Sequence, residues 1–162
     1  RKEGWRMVSM RRKDREESEA FALAVLRDCE YAVLATVNED STPYCIPVSP
    51  VLWENTVYFH CALEGQKLEN LQIRPDVCLT CVGKTQLCPQ KFTTAYESAV
   101  AYGRAQLVED EQEKRFALRI LCEKYAKDNL ENAEAAISRS LARTGIVKIT
   151  LARVTGKANR LS

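Results

Sequence analysis

Tyr31-Ala-Val-Leu-Ala-Thr-Val37, Asn38-Glu-Asp-Ser-Thr42 and Pro43-Tyr-Cys-Ile-Pro-Val-Ser49 form the stretch on which the fold turns. The first run is apolar on both faces, the middle is a polar turn, and the third returns as a second strand. Pro47 has no N–H, so it belongs at an edge, a bulge or a break in pairing. A Trp53-Glu-Asn55 turn and a strand over Thr56-Val-Tyr-Phe-His-Cys61 follow. Three strands with two short connections predict an antiparallel meander.

Outward from this stretch, apolar spacing predicts a helix over Glu16–Asp28 (Phe21, Ala22, Val25, Leu26) and one over Glu64–Ile73 (Leu68, Leu71), stopped by Arg74-Pro75. A fourth strand is expected over Val77–Val82 and a polar connection over Lys84–Gln90. One long or two shorter strands fill Lys91–Val108. Asp110–Tyr125 reads as an amphipathic helix (Phe116, Leu118, Ile120, Leu121), Leu130–Ala142 as a further helix and Gly145–Leu151 as the last strand. The pattern is mainly β: six or seven antiparallel strands in a closed or partly closed barrel with helices outside.

The chain has 162 residues, enough for one domain that buries ~70% of its unfolded surface. We expect a basic arm over 1–15 and a single domain over 16–160. Lys+Arg 24 against Asp+Glu 22 leaves +2, which removes the compositional case for nucleic acid. No run reaches the ~18 apolar residues of a membrane helix, and no signal segment is visible. With seven cysteines, an odd number, this points to free thiols in a reducing cytoplasm. Cys29, Cys45, Cys61, Cys81 and Cys122 sit in apolar segments as small core residues. Cys78 and Cys81 lie three apart on a strand and face opposite ways, which argues against a shared metal. The last 28 residues carry six basic groups and no acid, so they either touch an anion or balance the acid-rich helix.

Val57-Tyr-Phe-His-Cys-Ala-Leu-Glu-Gly-Gln-Lys-Leu-Glu-Asn-Leu71 carries the chemistry. It is strand, short loop, then helix start. Gly65 permits close backbone approach, and the first helical turn has free N–H groups and positive partial charge. Lys67 opposes that dipole. It is either a phosphate ligand or a solvent-facing lysine. His60, the lone histidine, shares a strand face with Tyr58 and is either a structural hydrogen-bonder or a catalyst.

Five blocks in order resemble one family: MRRKDRE, YFHCALEGQKLENL, RPDVCLTCV, YESAVAYGRAQLVEDEQEK and ITLARVTGKAN, spanning residues 10–159. The chain resembles the pyridoxamine 5′-phosphate oxidase-like split-barrel flavoproteins, within them the 5-nitroimidazole-reductase branch. The resemblance implies a homodimer with FMN at the subunit interface. It places His60, Cys61, Ala62, Gln66 and Lys67 at the phosphate and ribityl chain, and Ile46, Pro47, Val48 and Ser49 along the isoalloxazine. His60 matches a histidine near the active site of the nitroimidazole reductases. Gln66 stands where the family more often has Arg, and Cys61 where it often has Ser or Gly. The implied activity is reduction of a small organic acceptor, nitroaromatic or quinone-like, with NAD(P)H as a transient donor. A non-catalytic flavin carrier is the alternative, and a barrel without cofactor is a third reading.

Overall fold

In the computed structural model, which describes residues 8–160, the chain runs β1 (Glu16–Glu17), α1 (Glu19–Asp28), β2 (Ala32–Val37), β3 (Pro43–Val48), β4 (Val51–Trp53), β5 (Thr56–Cys61), α2 (Gln66–Ile73), β6 (Asp76–Cys88), β7 (Thr93–Leu107), α3 (Glu111–Tyr125), α4 (Ala133–Ser140) and β8 (Gly145–Asn159). The strands form one antiparallel sheet in the order β3-β2-β6-β7-β8-β5-β4, with β1 on β8. Residues 1–7 of the expected basic arm lie outside the described residues.

The sheet order shows how the barrel closes. β3 and β4 end the hydrogen-bonded path on opposite sides, yet only Ser49 and Pro50 connect them. Three Cα steps reach at most ~11 Å. The two ends of the path are therefore neighbours in space, with no strand ladder between them. This is a barrel with an open seam, the split barrel that the sequence leads one to expect. The meander is overturned. β3 pairs only with β2, whereas β5 pairs with β4 and β8. Pro50 breaks the strand and lets the chain cross the seam.

Other boundaries differ from expectation: Glu16–Glu17, expected to open the first helix, pairs as β1 with β8, and α2 and α4 are shorter than expected. β6 runs through the Lys84–Gln90 segment to Cys88 because its backbone pairs with β7, Thr85 opposite Tyr96 through Cys88 opposite Thr93. Leu87 and Phe92 stand 76% and 97% exposed on this ribbon, so backbone pairing rather than burial holds it. β8 continues past Leu151 to Asn159 across a bulge at Ala152, where Tyr102 pairs with Arg153 and Gly103 with Leu151. Asn55 clamps that bulge: its Nδ2 donates to Leu151 O (2.8 Å) and its carbonyl accepts from Leu151 N (3.0 Å).

The inward residues Leu34, Val57, Phe59, Leu79, Ala101 and Ile149 make the main core. α1 flanks the barrel as expected, with Ala22, Val25 and Leu26 against this core and Glu19, Ala20, Arg27 and Asp28 exposed. Ser18 caps α1 by accepting from Phe21 N (3.1 Å). α3 and α4 cover the other face of β5 and β8, where Ala117, Leu121 and Ile137 meet Tyr58 and Ile146. Asp110 caps α3 by accepting from Glu113 N (2.7 Å). The Glu113 carboxylate turns instead to Lys148 (2.8 Å) and Tyr58 OH (2.9 Å), so one residue of the basic C-terminal segment does balance the acidic helix. Burial and this carboxylate push Tyr58 up to about 12. Other helix charges pair at i,i+4, Glu111 with Arg115 and Arg119 with Glu123.

Of the cysteines expected in the core, Cys29 and Cys81 are buried, Cys61 and Cys122 are half-buried, and Cys45 is exposed. Cys45 alternates outward on β3, so the expectation fails there. Cys78 and Cys81 face opposite sides of β6 as alternation requires.

Thr36 and Asn70 are the buried polar side chains among the described residues. Asn70 donates to Thr36 Oγ1 (2.9 Å) and Asn38 Oδ1 (2.8 Å), pinning α2 to the end of β2. Asn70→Ala removes both donors and is expected to cost about 1–3 kcal/mol. Urea unfolding checks it, with a lower midpoint at unchanged slope; an unmoved midpoint would show the network to be idle.

Candidate functional site

The β5–α2 connection turns the chain sharply at Gly65 (φ 130°, ψ 163°), a backbone region essentially restricted to glycine. A Cβ there would meet nothing within 4 Å, so the requirement is conformational and the space beyond the turn is open. Leu68 N and Glu69 N both return to Gly65 O. The N–H groups of Gln66 and Lys67, one turn earlier, have no carbonyl behind them in the helix. α2 has no side-chain cap. None of the ion pairs between described residues uses Lys67. Its charge reaches the half-buried Cys61 thiol, where burial pushes the pKa up and Lys67 acts against it.

The structure brings Cys61, Ala62, Gln66 and Lys67 together around this turn. Gln66 is exposed, and its Nε2 donates to Asn38 Oδ1 (2.9 Å). Asn38 and Asn70 were not singled out from the sequence; polar residues beside an apolar stripe read as surface. His60 is placed differently. Val57 and Phe59 enter the main core, whereas Tyr58 enters the α3 side. His60 shares the Tyr58 face, opposite Ile146, and is exposed. It does not join Cys61 and Lys67 within one chain.

β3 borders the seam. Asn38 N donates to Thr42 O, which sets the alternation along the hairpin. Tyr44, Ile46 and Val48 turn their N–H and C=O groups to β2; Pro43, Cys45 and Pro47 turn theirs to the seam. Within β3 the seam side thus offers three carbonyls and a single N–H, that of Cys45. Ile46 and Val48 pack their side chains against the core. Pro47 and Ser49 face outward, and Ser49 lines a cavity of about 690 Å³ with Lys124, Tyr125 and Lys127. A second cavity of about 700 Å³ lies behind the loop, lined by Leu63, Leu68, Arg104, Glu113 and Lys148. None of the expected site residues lines it.

The pyridoxamine 5′-phosphate oxidase family model matches residues 18–158, and the chain belongs to that family. A search of curated proteins finds no match. Among solved structures, a candidate 5-nitroimidazole antibiotic resistance protein from Bacteroides thetaiotaomicron superposes with TM-score 0.71 at 24% identity, over 89% of each chain. A conserved hypothetical protein from Mycobacterium tuberculosis gives TM-score 0.79 at 16% identity, over 95% of this chain and 96% of the other. An FAD-binding protein from Mesorhizobium loti gives 0.69 at 18%, over 90% and 98%. These likenesses establish the shared fold. No helix among the described residues is long and apolar enough to cross a membrane.

Proposed function

We propose that the chain is an FMN-dependent oxidoreductase that reduces a small organic acceptor, nitroaromatic or quinone-like, and works as a homodimer. The observation that carries this reading is the head of α2. A glycine-only turn, two N–H groups without helical partners and a lysine outside the ion pairs surround open space. That donor set fits a phosphate monoester. Flavin, when bound, supplies the electron or hydride chemistry. The chain's own part is to hold and orient. Lys67 and the Gln66 and Lys67 N–H groups take the phosphate, Gln66 is steered by Asn38, Cys61 and Ala62 wall the turn, and the Ile46–Ser49 edge borders the ring.

The homodimer reading rests on the outer face of β2, β3, β6 and β7. Val33, Ala35, Val37, Pro47, Val100 and Tyr102 stand there only partly covered or exposed, while α3 and α4 cover β5 and β8. An apolar sheet face of this kind needs a cover, and a self-complementary contact is the commonest one. Purified protein is expected to be yellow or to take up FMN, to prefer FMN over riboflavin and FAD, and to sediment as a dimer more tightly with FMN than without. Equal affinity for riboflavin would remove the phosphate site. An ~18 kDa species that holds FMN tightly would remove the dimer.

A non-catalytic flavin carrier has one observation in its favour: His60 lies on the face away from Lys67. Turnover with NAD(P)H and a nitroaromatic or quinone acceptor separates the two. His60→Ala is expected to slow that turnover with little change in melting temperature; a large loss of stability at unchanged rate makes His60 structural.

A further inference from the structure

Cys29 closes α1. Its backbone is extended (φ −65°, ψ 140°), its N–H returns to Val25 O, and its thiol donates to Leu26 O (3.1 Å). Cys81 comes from the inner face of β6. Both are buried in the main core, 6% and 3% exposed. The two thiols are neighbours, and each is the largest influence on the other's ionisation: the hydrogen bond between them draws Cys29 down and pushes Cys81 up, burial acts to raise both, and the Lys124 charge acts to lower both. Asp28 acts on Cys29 in the opposite sense to Lys124.

Lys124 is half-buried at the end of α3. Its Nζ donates to Pro50 O (2.7 Å) and stands 5.0 Å from the Tyr125 ring centroid. Tyr125 OH also donates to Pro50 O (2.7 Å), so the cation is held in place at a cavity that Cys29 also lines. Burial lowers the Lys124 pKa, and the thiols Cys29 and Cys81 act to raise it. Cys29 also lines two cavities. One, of about 550 Å³, is shared with Phe21, Tyr31 and Gly83; the other, of about 690 Å³, with Ser49 and Lys124. Two core cysteines alone would be inert filler. A fixed cation beside one of them, with a route from solvent, is the arrangement of a reactive thiol with a resolving partner.

We propose that Cys29 and Cys81 are a peroxide-responsive dithiol that closes to an intramolecular disulfide. The Cys29 thiolate attacks one oxygen of hydrogen peroxide. The O–O bond breaks, a sulfenic acid forms on Cys29, and the departing hydroxide takes a proton to leave as water. The Cys81 sulfur then attacks the Cys29 sulfur. The S–S bond forms, the S–OH bond breaks, and the Cys81 proton leaves with hydroxide as a second water. Two thiols are oxidised by two electrons and one peroxide is reduced. The bridge ties the end of α1 to β6, and a small dithiol reverses it.

The test is peroxide titration of the full chain, quenched in acid, unfolded, alkylated and mapped by mass spectrometry. One equivalent of peroxide is expected to remove two of the seven thiols, lower the mass by about 2 Da and yield a Cys29–Cys81 peptide. Cys81→Ser is expected to stop at a Cys29 sulfenic acid that dimedone traps; Cys29→Ser keeps Cys81 reduced. Lys124→Met is expected to move the pH profile of Cys29 alkylation upward and slow oxidation about tenfold at pH 7. The wild-type map needs no variant to fold. Oxidation confined to Cys45 or Cys88, with Cys29 and Cys81 still alkylatable, overturns the proposal. So does a Cys29 pH profile that Lys124→Met leaves in place.

Discussion

Gly103→Ala is expected to lower stability by about 3 kcal/mol, the upper end of what overpacking costs. Gly103 sits where β7 meets the β8 bulge. A Cβ there would stand 2.4 Å from Thr150 O and 2.7 Å from Ile149 Cγ2. The first neighbour is backbone inside a strand ladder and cannot rotate away. Ile149 is buried in the main core and has little room either. Relief requires β7 and β8 to separate, and these two share the longest ladder in the sheet. In a domain of this size the melting temperature should fall by about 6–12 °C. Thermal unfolding of the wild type and the variant in the same buffer decides it. A shift under 2 °C would mean that the bulge gives way easily.

Lys67→Ala is the second large effect and acts on ligand rather than fold. Loss of a charge-assisted contact to phosphate should cost ~1.5–3 kcal/mol, or about 10- to 150-fold in FMN affinity. Lys67 lies outside the ion pairs between described residues and outside both cores, so the melting temperature of the ligand-free protein should hold. Riboflavin affinity should also hold, because riboflavin carries no phosphate. The contrast between the two ligands is the readout. Equal losses for both would place Lys67 on the ring or chain instead, and no loss for either would leave it a surface lysine.

Helices were legible because their apolar spacing and caps are local. Asp110 stands where a start is needed and Arg74-Pro75 marks a stop, whereas the first helix begins at Glu19 behind the Ser18 cap and not at Glu16. Strand partners were not local. The run from Pro43 to Cys61 reads as a meander, since nothing in Ser49-Pro50 says that the chain leaves one end of the sheet for the other. The Lys84–Gln90 segment reads as a connection because its residues are polar; what makes Thr85–Cys88 strand is a partner five to eleven residues further on. At the site, the strand–loop–helix head around Lys67 was legible from residue types alone. His60 shows how alternation and resemblance diverge. Its shared face with Tyr58 follows from counting along the strand, and that counting places it away from Lys67.

The seam between β3 and β4 bears on how this chain keeps to itself. An unpaired strand edge invites a stranger's strand to add to it, the first step toward cross-β aggregation. At this edge two of the three outward-pointing β3 positions, Pro43 and Pro47, have no N–H to offer, and the interruption at Pro50 follows. A foreign strand would find carbonyls but almost no donors. A flat aromatic guest needs no ladder and is not turned away by their absence. The prolines thereby separate two kinds of visitor: the gap that leaves room for a small molecule is closed, chemically, to another polypeptide.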